Sequence, residues 1–173
     1  MKFTKLFAAV AVFVCLFLGS CSDDSEPKSV FASGYTGVHT GTMTLNVADR
    51  FNYEAVMDVA VTGNEDTKTL TVNLPEYTLT GTMIGDITIG ALTIDGLVWN
   101  EELGGYYRSY GGQGLTMHFK AVQNGTTTMD NDYPLNETST ILVRIDSDGK
   151  LVMDNPFQLG AMPLPLTATF KAK

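Results

Sequence analysis

Beyond residue 35 the chain alternates apolar and polar residues with period two. Met43, Leu45 and Val47 interleave with Thr42, Thr44 and Asn46, and Tyr53, Ala55, Met57, Val59 and Val61 with a face that holds Glu54 and Asp58. The same alternation returns over 70–74, 77–83, 115–121, 141–145 and 164–170. In an extended chain successive side chains point to opposite faces, so each run predicts a strand with one apolar face and one Thr-rich wet face. Between the runs stand Gly63-Asn64-Glu65-Asp66, Asn124-Gly125 and Asp148-Gly149, which carry turn chemistry, and Leu74-Pro75, which ends a strand. Residues 85–98 read as one long extended run cut by Gly85, Gly90 and Gly96, where bulges or sharp bends are expected. No stretch after residue 21 holds a helical period of useful length.

The pattern predicts an all-β fold: a single antiparallel barrel of about eight to ten strands, with a β-sandwich as the alternative. Met43, Tyr53, Met57, Tyr77, Met83, Met117 and Phe119 fall on apolar faces and are the expected barrel interior. The segment Glu101–Gly114 is too rich in glycine for a helix. It holds Tyr106, Tyr107 and Tyr110 close after Trp99, a cluster expected to form either a loop lining a pocket mouth or a hairpin covering a barrel end.

The first twenty residues follow a different rule. Lys2 and Lys5 precede an uncharged apolar stretch from Leu6 to Leu18, shorter than the ~20 residues that cross a bilayer. Leu18-Gly19-Ser20-Cys21 then resembles the lipobox of bacterial lipoproteins, which implies cleavage before Cys21 and lipidation of its sulfur. Residues 21–33 read as an acidic tether, and 34–173 as the folded domain. An acidic run just after the lipid-bearing cysteine is similar to the surface-export signal of Bacteroidota lipoproteins. It implies an outer-membrane protein facing outward, with a periplasm-facing one as the alternative.

Composition narrows the chemistry. The net charge is −8, and loss of Lys2 and Lys5 makes the mature part more acidic still, so a phosphate backbone is repelled and nucleic acid is not an expected partner. The two cysteines are Cys15, inside the apolar leader, and Cys21. The folded domain therefore has no thiol for a disulfide, a metal or nucleophilic catalysis. His39 and His118 are its only imidazoles, and no Gly-x-Ser-x-Gly elbow is present. Asp130-Asn131-Asp132 and Asp146-Ser147-Asp148-Gly149 space oxygen ligands at alternate positions, but they lack a distal Glu and read as turns. No catalytic residue, cofactor or metal site is expected.

Residues Tyr35-Thr36-Gly37, the Thr-rich strands and Gly85-Asp86-Ile87-Thr88-Ile89, behind a lipoprotein leader, resemble the calycin-like (lipocalin-like) β-barrel lipoproteins of gut Bacteroidota. The resemblance spans roughly 34–173 and implies an eight-stranded cup. The Gly-x-Trp that lipocalins carry near the first strand is here Gly34-Tyr35-Thr36, and the single tryptophan is Trp99.

The resulting expectation is a non-enzymatic binding module, held to the membrane by its lipid, for a small hydrophobic or glycan-like ligand. Trp99, Tyr106, Tyr107 and Tyr110 are the candidate contacts, with Arg108 for an anionic group. The alternative is a solid-core barrel that works through its outer face. The sequence names no protein partner.

Overall fold

The computed structural model describes residues 31–160 and 165–173. The proposed leader and Cys21 lie outside them. Twelve strands follow in order: β1 (Gly37–Val47), β2 (Phe51–Asn64), β3 (Thr69–Leu74), β4 (Tyr77–Thr82), β5 (Gly85–Ile89), β6 (Leu92–Asn100), β7 (Gly105–Ser109), β8 (Thr116–Gln123), β9 (Thr126–Pro134), β10 (Thr140–Ile145), β11 (Leu151–Phe157) and β12 (Leu166–Ala172). There is no helix among the described residues.

Eight of the strands close a barrel in the order β1-β12-β11-β10-β7-β6-β3-β2, and β4-β5-β8-β9 form a second sheet. Every barrel pair is antiparallel. The barrel is thus an up-and-down meander with two hairpins inserted, β4–β5 after its third strand and β8–β9 after its fifth. In such a meander every connection from an odd to an even strand falls at the same end. Both hairpins therefore leave from one end, and β5 pairs with β8, from Asp86↔Val122 to Ile89↔Phe119, to join them into a cap. The other end carries the β2–β3, β6–β7 and β10–β11 turns and the start of β1.

The barrel expectation holds, but four of its supposed interior residues belong elsewhere. Tyr77, Met117 and Phe119 lie on strands of the cap sheet, not on barrel strands. Met83 is the clearest departure. It was expected to point inward with Tyr77 and Leu79, yet it is 61% exposed. The β4–β5 register shifts between Leu79 and Thr82, so one extra residue at Thr80-Gly81 resets the alternation. Thr82 turns inward and Met83 lands in the β4–β5 turn. The same device acts in β6. Leu70 faces Leu97 while Val72 faces Ile94, and Gly96 takes the positive φ of 65° that the bulge requires. Leu97 rather than Gly96 then enters the core, and Val98 points out.

The interior of the barrel is packed. Met43, Met153, Phe170, Val143 and Ile141 are fully buried, and Met57 nearly so. One inward row can be followed around the wall: Ala55, Met43, Phe170, Met153, Val143, Tyr106, Trp99. Strand stagger in a closed barrel makes such a row climb. It begins mid-wall at Ala55 and Met43 and reaches the uncapped rim at Trp99.

Candidate functional site

Among the described residues a cleft opens at each end of the barrel. At the capped end an apolar cleft of about 100 Å³ opens between the barrel mouth and the inner face of the cap. Leu45, Val47, Tyr53 and Leu166 form its barrel side, and Ile87 and Phe119 its cap side. Two exposed apolar residues of the β4–β5 turn, Met83 and Ile84, complete the rim with Phe51. Thr82 also lines it, but its hydroxyl donates to the Gly85 carbonyl at 2.5 Å, and the Tyr53 hydroxyl accepts from the Met83 amide at 3.3 Å. The cleft therefore offers a ligand almost nothing but hydrocarbon and ring surface. Ligand pockets usually measure ~300–1,000 Å³, so this one fits a small group or the end of a chain.

Sequence patterning placed Tyr53 and Phe119 inside but missed the cleft they share. A signal was present. Met83-Ile84 are two large apolar residues in a turn between Gly81 and Gly85, where polar residues are the rule.

The uncapped end is closed by aromatic rings. Tyr106, directly across from Trp99 in the β6–β7 register, lies 5.4 Å from its ring, 5.0 Å from Tyr35 and 6.2 Å from Phe31, each edge to face. The turn at residues 31–35 thus folds over the opening where Gly-x-Trp is missing. Lys68 places its ammonium 4.9 Å from the Phe31 ring centre. Burial raises the pKa of Tyr35, partly offset by a hydrogen bond with the Ile145 backbone. Burial also raises that of Tyr106, with the nearby Tyr35 adding to the shift. An open groove of about 770 Å³ runs beside this turn past Thr36, Val38 and Thr62.

The aromatic cluster expected from the sequence is divided three ways. Tyr106 points inward and Trp99, 44% exposed, stands at the rim. Tyr107 is half-buried on the outer face opposite Val98 and Leu142. Tyr110 lies beyond the far end of β7, fully buried, where its hydroxyl donates to Asn155 Oδ1 at 2.6 Å. Burial raises its pKa strongly, and the Asn155 bond opposes the shift. Arg108, expected to hold an anion, is committed to the fold instead. One guanidinium nitrogen bonds the backbone and carboxylate of Asp95 at the β6 bulge, and the other donates to Gln113 at 2.5 Å.

The two histidines stand apart, His39 near the start of β1 and His118 on the cap. The Asp130-Asn131-Asp132 segment, expected as a turn, is the middle of strand β9. His118 sits between its two carboxylates, with Nδ1 2.9 Å from Asp132 and Nε2 3.2 Å from Asp130. The carboxylates take opposite edges of the ring, so the three groups do not converge on one point. Asp146, in contrast, is a turn residue as expected, accepting from the amides of Asp148 and Lys150 at 2.9 Å each.

A closed eight-stranded antiparallel meander is the architecture of calycin barrels; here its interior is filled and its ends are covered. A family model described as a calycin-like beta-barrel domain matches residues 35–173, and the chain belongs to that family. No curated protein and no solved structure matches the chain. Calycin-like barrels are a fold often used for ligand binding, and they are typically binding rather than catalytic modules.

Proposed function

We propose that the protein is a lipid-anchored, surface-facing lipoprotein of the outer membrane that binds a small hydrophobic ligand without catalysis. The observation that carries the ligand reading is the apolar cleft at the barrel–cap junction, ringed by Met83, Ile84 and Phe51. Thioether side chains at such a rim adapt to ligand shape, and an exposed apolar rim is otherwise costly to keep in water. The leader, Leu18-Gly19-Ser20-Cys21 and the acidic residues that follow support the anchor and its outward orientation. Acyl chains contribute ~0.8 kcal/mol per buried CH₂, and more than one makes the attachment stable.

A second reading is favoured by the packed interior: a solid-core barrel that works through a protein partner on its outer face. Titration of methyl-labelled protein with toluene separates the two. Shifts confined to the Met83 and Ile84 methyl groups support the cleft, and unmoved methyl groups at saturating toluene favour the solid-core reading. A glycan would instead stack at the uncapped rim, and quenching of Trp99 fluorescence by oligosaccharides would reveal it. For the anchor, Cys21→Ala is expected to abolish incorporation of labelled palmitate, and undiminished incorporation rules it out.

A further inference from the structure

The Asn155 side chain is 1% exposed, and its Nδ2 has no hydrogen-bond partner among the described residues. Its Oδ1 takes the Tyr110 hydroxyl. Turning the amide over only exchanges the atoms, because Nδ2 would then meet the Tyr110 oxygen and Oδ1 would stand alone. An unpaired buried amide atom costs ~1–3 kcal/mol, and native folds seldom retain one without a use.

Its position suggests the use. On the barrel wall Asn155 faces Ala168, and Ala168 faces Leu45, which lines the cleft. Leu166, also lining the cleft, is the diagonal neighbour of Asn155, about 7–8 Å away. Only the methyl group of Ala168 lies between Asn155 and Leu45 on that row of the wall.

We propose that the Tyr110–Asn155 pair is the polar inner end of the cleft and receives a neutral oxygen acceptor carried at one end of an apolar ligand. This rests on the hydrophobic-ligand reading above and specifies its chemistry: a ketone, ester, amide or alcohol rather than a fatty-acid anion. Both members of the pair are neutral, and no Lys or Arg bonds to either among the described residues. A buried carboxylate there would find one neutral donor and no counter-charge, which offsets only a small part of its desolvation cost. Because the amide is sealed, the ligand reaches it by turning the Leu166 side chain aside.

The test uses the folded domain with three probes: toluene, 2-octanone and octanoate at pH 8. The expected result is that 2-octanone shifts the Asn155 side-chain amide resonances as well as the Met83 methyl group, while toluene shifts the methyl group alone. Octanoate is expected to bind at least tenfold more weakly than 2-octanone. Asn155→Leu should weaken 2-octanone roughly tenfold, about the worth of one hydrogen bond, and leave toluene unchanged. If toluene binds but 2-octanone leaves the wild-type Asn155 amide unmoved, or that amide contacts only a buried water that no probe displaces, the inference is overturned and the cleft survives. If toluene does not bind, the cleft reading itself fails. The wild-type amide signal decides even if Asn155→Leu does not fold.

Discussion

Tyr35 and Tyr106 meet edge to face at 5.0 Å, one from the N-terminal turn and the other from inside strand β7. The contact holds the covering turn on the uncapped end, and the hydrogen bond between Tyr35 and the Ile145 backbone ties it to β10, the strand next to β7. Tyr35→Phe keeps the ring and loses the bond, so it should cost about 1 kcal/mol. Tyr35→Ala also loses an aromatic pair worth ~0.5–1.5 kcal/mol and should cost about 2 kcal/mol in all. Urea unfolding checks both, as a lowered midpoint at constant slope.

The buried phenols make the fold sensitive to base. Tyr35, Tyr77, Tyr106 and Tyr110 all have pKa values raised by burial above the ordinary 10.0. A raised pKa stabilises the fold fully below pH 10 and is lost as pH rises through the folded value, because the unfolded chain ionises first. Thermal midpoints should therefore be flat to about pH 10 and fall above it. Tyr110→Phe should flatten that fall.

Asp146 makes the opposite prediction at the acid end. The amides of Lys150 and Asp148, with a smaller contribution from Lys171, hold its carboxylate below the ordinary 3.8. The stability this provides is present above the unfolded pKa and is lost as pH drops through the folded one. Carboxyl resonances followed by NMR should show Asp146 titrating below 3.8, and Lys171→Met should move it only slightly upward.

Gly41 is a point of backbone contact within the barrel wall. A Cβ there would overlap the carbonyl of Lys171 and the ring of Phe170, so neither the wall nor the core can yield. Gly41→Ala should cost more than about 3 kcal/mol or prevent folding. Gly104→Ala is the control. Its site is open space at a φ of 61°, and the cost should stay near 1 kcal/mol. Equal losses in the two variants would show that the wall shifts to accept the added methyl group and that crowding at Gly41 is not limiting.

The barrel was legible wherever one face of a strand is dry, as at Met43-Leu45 or Ile141-Val143. It became illegible for three physical reasons. Bulges at Gly81 and Gly96 shift the period by one residue, so unbroken alternation puts Met83 inside when it lies in the turn. Strand β9 is the outer edge of the cap and is exposed along most of its length, so Thr126–Pro134 has no apolar face to alternate. The pairing of β5 with β8 joins hairpins distant in sequence, and no local pattern encodes it. Strand alternation alone divides the aromatic cluster, leaving only Trp99 and Tyr106 side by side. Tyr106 and Tyr107 must face opposite ways, and Tyr110 lies about 13 Å further along the chain direction. The cleft needs both sheets assembled before it exists.

Closure of the barrel and construction of the cap are separable tasks. The eight-stranded ring is completed by β1 pairing with β2 and β12, while the rim contributed by Met83 and Ile84 belongs to an excursion that begins and ends at the same mouth. The inserted hairpins can thus be lengthened, shortened or exchanged without changing a single register in the ring. Selectivity for one apolar guest over another would then be rewritten in the inserted hairpins, on a ring left intact.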